Sequence, residues 1–163
     1  MSDVEFKAVA LAIIGLMAVV AIYPIFAEQR RVIEPFSELG LLGPNMKLGD
    51  YPTELTIGQN FNLYLYVGNH EGGVRYFRVL AKLGGLSSSV SDSSALDAPI
   101  LASWDCILPN EGNSTTPIIL SIPTAGLYQR LVFELYQYEP ANGNFAYNQR
   151  WTQLWLNVNT SGG

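Results

Sequence analysis

Cysteine, histidine and charged side chains are all scarce in this chain. Its 163 residues include one cysteine and one histidine, and charged residues make up 14% of the total. A single cysteine excludes an internal disulfide and any cage of several cysteines around zinc or iron. A single histidine excludes sites that need two imidazole ligands, such as a blue-copper centre. The charged share lies well below the ~25% of an average soluble domain, so the chain is either unusually apolar or partly immersed in lipid.

The charge balance and the motif content exclude further classes of protein. Nine Lys and Arg against fourteen Asp and Glu give a net charge of −5, so no basic surface is available for nucleic acid. The chain has no P-loop, no G-x-G-x-x-G and no G-x-S-x-G motif. Its aspartates lack EF-hand spacing, and its candidate strands lack the close carboxylate pairs of glycosidases. We therefore predict no catalytic residue, no metal site and no cofactor.

The longest apolar run lies near the N-terminus. Residues 8–27 read AVALAIIGLMAVVAIYPIFA without a charged side chain, and Arg30 and Arg31 follow. Twenty helical residues span about 30 Å, the thickness of the hydrocarbon core of a bilayer. The sequence therefore predicts one transmembrane helix with short flanks at residues 1–31, embedded in the lipid bilayer. A cleaved signal peptide would have a shorter apolar region and a basic start, and a soluble helix would have a polar face.

Two signals disagree about the orientation of this helix. Arg30 and Arg31 outweigh Lys7 on the other flank, which by the positive-inside rule places the C-terminal part in the cytoplasm. The lysine-poor, β-rich composition of that part and two N-x-[ST] sequons favour the outside. We expect a single-pass protein of the cell membrane whose C-terminal domain is extracytoplasmic. Asn113 and Asn159 are then the candidate glycosylation sites.

The remaining residues, 32–163, change to a hydrophobic period of two. Phe61–Val67, Phe77–Leu83 and Leu154–Val158 alternate between two sets of side chains, one of them consistently apolar. This pattern is typical of half-buried strands. Trp104 is a candidate for the centre of the core, in the place that a disulfide occupies in some sandwiches.

A fourth run follows Gly126. Its expected inward face is interrupted only by Gln129 and comprises Leu127, Leu131, Phe133 and Leu135, while Tyr128, Arg130 and Glu134 are expected to point the other way. Tyr128 is interpreted either as a tyrosine that caps the corner before a late sandwich strand or as an ordinary surface residue.

Shorter candidate strands lie at Glu38–Leu42, Thr53–Ile57, Ile100–Ile107 and Pro117–Ile122, and clusters of Gly, Asn and Pro separate the runs. Residues 84–97 are serine-rich and predict a mobile loop. No segment after Arg31 has helical periodicity. Seven or eight short strands in about 125 residues predict a mainly β fold. We expect one domain at residues 32–163, an antiparallel β-sandwich of immunoglobulin or fibronectin type.

His70 and Cys106 are the residues to weigh for reactive chemistry. Cys106 lies in an apolar stretch, where a small buried thiol is expected rather than a nucleophile paired with His70. His70 lies in a turn beside Glu71. It is interpreted as a metal ligand with Glu71, as a pH sensor, or, with preference, as a turn residue whose ring bonds a nearby backbone group.

Several aromatic side chains fall on positions that alternation does not bury. They include Tyr64, Tyr66, Tyr136, Trp151 and Trp155. Exposed aromatics bring large contact areas at a low entropic cost, so this set predicts a protein interface. Aromatic pairing between neighbouring strands is the alternative interpretation.

Three phrases of the sequence resemble a family of archaeal membrane proteins of unknown function. They run from Phe36 to Gly43, from Asp50 to Gly58 and from Asn69 to Glu71, and the segment Leu154–Val158 is similar to the last strand of that family. The resemblance implies an Ig-like domain outside an archaeal membrane and implies no activity. This chain departs from the family in having one apolar helix where many members have several.

We expect a non-enzymatic protein on these grounds. The leading hypothesis is an accessory or structural subunit of a larger archaeal membrane complex, which contacts other integral membrane subunits through its β-sandwich. The alternatives are a subunit of a cell-surface filament or adhesin, and a ligand-binding domain that serves a transporter or a membrane enzyme.

Overall fold

The computed structural model describes Lys7, Leu11, residues 13–18, Val20 and residues 34–160. The chain forms two compact units, Met1–Glu34 and Pro35–Gly163. The predicted boundary between residues 31 and 32 lies slightly earlier in the chain.

The described residues from Lys7 to Val20 are helical, and apolar side chains among them are exposed. Residues 13–18 are helical, and the exposed fractions of Ile13, Ile14, Leu16 and Met17 lie between 54% and 68%. Within the described part of the chain, no helix is both long enough and apolar enough to cross a bilayer. Most of the predicted span at residues 8–27 lies outside the described residues, so the membrane anchor stays a prediction.

The second unit consists of two β-sheets, which confirms the prediction of a mainly β, Ig-like sandwich. The eight strands within residues 35–160 are β1 (Phe36–Leu42), β2 (Glu54–Thr56), β3 (Phe61–His70), β4 (Arg75–Gly84), β5 (Ile100–Leu108), β6 (Gly112–Leu120), β7 (Gly126–Glu139) and β8 (Asn144–Asn159). One sheet has the order β1-β3-β6 and the other β2-β8-β7-β4-β5. The expectation of a wholly antiparallel arrangement was wrong at one place, because the short β2 pairs in parallel with the end of β8.

The core lies between the two sheets and follows the alternation in the sequence. The inward side chains of β3, namely Phe61, Leu63, Leu65 and Val67, are buried. They meet Phe77, Val79 and Ala81 of β4, Leu131, Phe133 and Leu135 of β7, and Leu154, Leu156 and Val158 of β8. Burial of these apolar surfaces is the main stabilising contribution, at roughly 25 cal/mol per Å². Trp104 packs against this core from β5, where it is half-buried and its ring centroid lies 6.2 Å from that of Phe133.

The start of β7 departs from the predicted register. The pairing with β8 shifts between Gly126 and Gln129, and Tyr128 has a φ of 53°, in the left-handed region that non-glycine residues rarely adopt. The prediction that Leu127 faces the core was therefore wrong, because its side chain is 68% exposed. Gln129 takes the inward position instead and donates a hydrogen bond to the Thr124 carbonyl. Tyr128 is 57% exposed, so it is a surface residue and does not cap a corner.

Two leucines of β7 provide a test of this register. Leu131 is completely buried, and its replacement by alanine is expected to lower the free energy of unfolding by about 2–5 kcal/mol. Leu127→Ala should cost less than about 0.5 kcal/mol, because the side chain is already in solvent. Denaturant unfolding followed by tryptophan fluorescence measures both. Equal losses for the two variants would contradict the shifted register.

Candidate functional site

Asn69 joins two of the turns through which the chain crosses between the sheets. The chain passes from β3 to β4 at residues 71–74 and from β5 to β6 at residues 109–111. The Asn69 side chain is fully buried, and its Nδ2 donates to the carbonyls of Gly73, Leu108 and Pro109 at 2.8–2.9 Å. The backbone N–H of Glu111 donates to the Asn69 carbonyl at 2.8 Å. One amide group therefore satisfies buried carbonyls of both turns.

His70 lies next to this junction and bridges two carboxylates. Its Nδ1 is 2.6 Å from Oε2 of Glu111, and its Nε2 is 3.5 Å from Oε2 of Glu38. The ring stacks on Phe36 with 4.5 Å between centroids, and the Tyr66 hydroxyl donates to Glu38 at 2.8 Å. The hydrogen bond to Glu111, reinforced by the negative charges of both carboxylates, raises the pKa of His70 above its ordinary value.

The preferred interpretation of His70, a turn residue whose ring bonds a nearby backbone group, was wrong, because both ring nitrogens face carboxylates. Glu71 is not its partner, because the Glu71 carboxylate accepts a hydrogen bond from the Ser37 hydroxyl at 2.7 Å. The two ring nitrogens face carboxylates rather than backbone groups or the thiol of Cys106. Among the described residues, no group of three His, Cys, Asp or Glu side chains is arranged to hold a metal ion. His70 is thus a titratable link between β1, β3 and the β5–β6 turn.

The charge of His70 should make stability depend on pH. A pKa raised in the folded state stabilises the fold fully below the ordinary value of about 6.5, and this contribution is lost as the pH rises through the folded pKa. We expect His70→Gln to lower the free energy of unfolding at about pH 6 and to be nearly neutral at about pH 9. Urea unfolding at both pH values measures the difference. An effect of His70→Gln that is the same at both would contradict the ionic link.

The outer face of the five-stranded sheet carries a second polar and aromatic cluster. Arg78 donates from Nε and Nη2 to the two carboxylate oxygens of Asp105, both at 2.7 Å, and the Tyr76 hydroxyl donates to Oδ2 of Asp105. The Arg78 guanidinium lies 4.2 Å from the centroid of the Phe145 ring, which also contacts Tyr76 and Tyr138. The Arg78 hydrogen bonds lower the pKa of Asp105, so this carboxylate stays ionised and paired.

Residues 85–99 form a strap over the middle of the same face, which corrects the prediction of a mobile loop. The Arg130 guanidinium donates to the Ser88 carbonyl at 2.6 Å, and the Tyr147 hydroxyl donates to the Ser91 carbonyl at 2.9 Å. Leu96 is buried, with an exposed fraction of 2%. Burial, together with the nearby negative charges, raises the pKa of Tyr147 to about 12. The strap is therefore fixed to the sheet by strand side chains.

Beneath the strap lies an ion pair that the sequence pattern did not reveal. Lys82 Nζ is 2.9 Å from Oε2 of Glu134 and donates to the Leu96 carbonyl at 2.8 Å, and the Leu96 N–H donates to Oε1 of Glu134. Burial alone would lower the pKa of Lys82, but the hydrogen bonds to Glu134 and Tyr136 outweigh it and raise the pKa. Glu134 points away from the core, as predicted, yet it is completely buried because the strap covers it.

Removing one partner of this pair should be far more costly than removing both. Glu134→Leu leaves the Lys82 ammonium buried without a counter-charge, and we expect it to lower the free energy of unfolding by about 3–5 kcal/mol. The double variant Lys82→Met, Glu134→Leu is expected to recover most of that loss. Denaturant unfolding of the two single variants and the double variant completes the cycle. If the double variant lost as much free energy of unfolding as the two single variants together, the two charges would not stabilise each other.

The aromatic residues predicted as one interface divide between opposite faces of the sandwich. Tyr64 and Tyr66 lie on the outer face of the three-stranded sheet, since the alternate residues of β3 are buried. Tyr136, Trp151 and Trp155 lie on the outer face of the five-stranded sheet. The Tyr136 ring packs against Tyr147, with 5.6 Å between centroids. Aromatic pairing between strands, the alternative interpretation, therefore accounts for Tyr136.

Trp151 and Trp155, both on β8, flank the side chain of Arg130, which lies on β7. The Arg130 guanidinium carbon lies 5.6 Å from the centroid of each indole, within the range of a cation–π interaction. Trp155 is 40% exposed and Trp151 is half-buried. Arg130 also bonds Ser88 of the strap and Gln153, so the side chains of this cluster are held in place before any partner binds.

Cys106 is half-buried and lines a cavity of about 290 Å³ between β5 and β6. These strands are edges of different sheets, so no ladder closes the gap between them. Leu65 and Val79 contribute core side chains to the cavity, and Trp104 lines it from β5. Burial, and to a lesser degree Asp105, raises the pKa of the Cys106 thiol, which lowers the thiolate fraction that a nucleophile needs.

Both sequon asparagines are exposed and lie on strands. Asn113 is on β6, opposite Gly68 of β3. Asn159 ends β8, and its Nδ2 contacts Oε2 of Glu54 at 3.4 Å. Ser161, the third residue of that sequon, lies outside the described residues. Glycosylation at Asn113 and Asn159 stays a prediction.

Comparison with known proteins yields a family match and several solved structures of similar fold. A family model for a domain of unknown function, DUF1616, matches residues 31–157. No curated protein matches the chain.

The similar solved structures include a CARDB domain from Pyrococcus furiosus in complex with di-metal ions, at 12% identity and a TM-score of 0.46, covering 76% of this chain and 88% of that one. A Listeria innocua β-glucosidase in complex with glucose is 12% identical with a TM-score of 0.46; the match covers 77% of this chain but 16% of the enzyme. The sporulation control protein Spo0M of Bacillus subtilis is 7% identical with a TM-score of 0.44, over 76% of this chain and 49% of that one.

Proposed function

This chain belongs to the DUF1616 family, a domain of unknown function, and we propose that it is a non-catalytic accessory subunit of a larger archaeal membrane complex. One N-terminal helix anchors it in the cell membrane, and its sandwich lies outside and braces integral membrane partners. The observation that carries the proposal is the cluster of Trp151, Arg130 and Trp155 on the outer face of the five-stranded sheet.

The exposed apolar side chains of the N-terminal unit support the anchor. Residues 13–18 are six consecutive helical positions, about 1.7 turns, so their side chains project all around the helix axis. None of the six is polar or charged, and all are exposed. A helix that is apolar on every side needs an apolar surrounding. Lipid supplies it, and the helix satisfies its own backbone groups there.

The composition of the Trp–Arg cluster supports a protein partner. Tryptophan, tyrosine and arginine are enriched among the residues that contribute most to binding energy at protein interfaces. Here the arginine is already ordered by Ser88 and Gln153, so a partner would not need to immobilise it, and that lowers the entropic cost of binding. The cluster also lies on a broad sheet face rather than in a cleft, which suits a flat macromolecular surface better than a small substrate.

The reactive side chains of the sandwich support a non-catalytic role. The nitrogens of His70 are paired with carboxylates, and the Cys106 thiol has a raised pKa. These two side chains were the pair weighed from the sequence for nucleophilic catalysis, and no hydrogen bond joins them.

The proposal is tested by isolating the full chain from its native membranes in mild detergent, with mass spectrometry of the intact assembly. We expect other membrane subunits to accompany the chain in fixed stoichiometry. Trp155→Ala is expected to reduce that association at least about tenfold, since truncating such a residue costs roughly 2 kcal/mol or more. Ile119→Ala, at a 68% exposed position on the other sheet, should leave it unchanged.

Three results would overturn the proposal. Polymers of this chain alone would indicate a surface filament. A monomer with a bound small molecule would indicate a ligand-binding domain, for which the cavity beside Cys106 is a candidate site among the described residues. Equal association of Trp155→Ala and Ile119→Ala would remove the Trp–Arg cluster from the interface. The same spectra reveal glycans at Asn113 or Asn159 and thereby report the side of the membrane.

A further inference from the structure

The end of the sandwich at which β1 begins carries an exposed apolar groove. We call this the proximal end. It comprises Phe36, the turns at residues 71–74 and 109–111, and the tip of the β7–β8 hairpin at residues 140–143. Phe36 pairs with His70, and Arg75 pairs with Leu108, so these segments lie at the same end of the sandwich. A groove of about 480 Å³ lies there between the start of β4, the end of β5 and the hairpin tip. Its lining includes Val74, Tyr76, Ile107, Tyr138 and Pro140.

Two aliphatic side chains at this end are largely in solvent. Val74 is 66% exposed and Ile107 is 67% exposed. Leu127 and Ile119 lie towards the opposite end of the sandwich, the distal end, and each is 68% exposed. Exposure alone therefore does not set Val74 and Ile107 apart from other surface residues. Position distinguishes them, since the proximal end is where the N-terminal segment joins the sandwich.

The length of chain before β1 limits how far this end lies from the predicted anchor. The apolar run ends at Ala27 and β1 begins at Phe36. The nine Cα–Cα steps from Ala27 to Phe36 reach at most about 32 Å when the chain is fully extended. The headgroup region of a bilayer begins directly beyond the hydrocarbon core. If the run spans the bilayer, the start of β1 therefore lies no more than about 32 Å from the end of that run, and the membrane surface is within its reach.

The side chains of the groove suit the interfacial region. Tyr76 and Tyr138 have amphipathic rings of the kind enriched at the membrane–water boundary, and Arg75, which also lines the groove, has a long stem with a cationic end.

Three carboxylates at this end face cationic or titratable side chains, whereas Glu71 accepts a hydrogen bond from Ser37 and Glu139, which lines the groove, accepts one from Asn142. Asp105 binds Arg78 and Tyr76, and Glu38 and Glu111 bind His70. Their negative charge is thereby partly neutralised, and the aliphatic side chains project beside it.

We propose that the proximal end of the sandwich rests in the interfacial region of the bilayer, with Val74 and Ile107 inserted among the lipid headgroups. This inference rests on the proposed anchor and adds a second contact with the membrane. Such a contact fixes the orientation of the Trp–Arg cluster relative to the membrane, because a sandwich held at one end by its chain and by its apolar groove cannot tumble freely.

The test compares four surface positions of matched exposure in the full chain. Single cysteines replace Val74, Ile107, Leu127 or Ile119 in a Cys106→Ser background and carry a polarity-sensitive fluorophore. A fifth variant, Leu16→Cys, reports on the helix. The proteins are reconstituted in phosphatidylcholine nanodiscs, and quenching by nitroxide-labelled lipid is measured. We expect quenching at positions 74 and 107 to exceed that at 127 and 119 by at least about threefold, because interfacial insertion reaches only about 5–10 Å into the bilayer.

The reporter on the helix separates this inference from the proposed function. Quenching at position 16 with equal, weak quenching at the other four positions would overturn the membrane contact and leave the anchor standing. Stronger quenching at 127 or 119 than at 74 and 107 would also overturn it. Absence of quenching at position 16 would overturn the anchor, and with it the inference.

Discussion

The buried amide of Asn69 is the constraint on which the arrangement of the sandwich depends. A two-sheet fold must cross repeatedly between its layers, and each crossing leaves backbone groups that no ladder satisfies. Here the Asn69 side chain donates hydrogen bonds to carbonyls of both neighbouring crossings and accepts one from the backbone N–H of Glu71. The position of His70 opposite Glu111, the start of β4 and the end of β5 all follow from this junction. The groove at the proximal end includes Val74 of the turn between β3 and β4.

The hydrophobic period of two predicted much of this fold because local backbone geometry imposes it. Alternate residues of a strand point to opposite faces, so the buried sides of β3, β4 and β8 could be assigned from residue types alone. The same rule was wrong at Leu127, where the register shifts, Tyr128 has a positive φ, and two residues of β7 lie opposite one residue of β8. A bulge of this kind depends on the pairing register between β7 and β8, and the sequence of β7 alone does not predict it.

The residues of the candidate sites were less predictable, because their partners are distant in sequence. His70 pairs with Glu111, forty-one residues later, rather than with the adjacent Glu71. Glu134 alternates like a surface residue and is buried only because a segment nearly forty residues earlier covers it. The outer aromatic residues were recognised by type, but their division between two faces required the sheet order, which alternation within a strand does not contain. The membrane anchor and the glycosylation sites remain predictions from sequence.

The strap has a consequence for the order in which the domain becomes structured during synthesis. Residues 85–99 leave the ribosome together with Lys82, but the carboxylate that fixes them belongs to Glu134 on β7. Until β7 is available, the Lys82 ammonium group stays hydrated and the serine-rich segment lacks the Glu134 carboxylate that binds it. Contacts of such long sequence separation form late and slow the search for the native state. Completion of the five-stranded sheet therefore waits for β7, and a nascent chain stalled before β7 would present an uncovered β4.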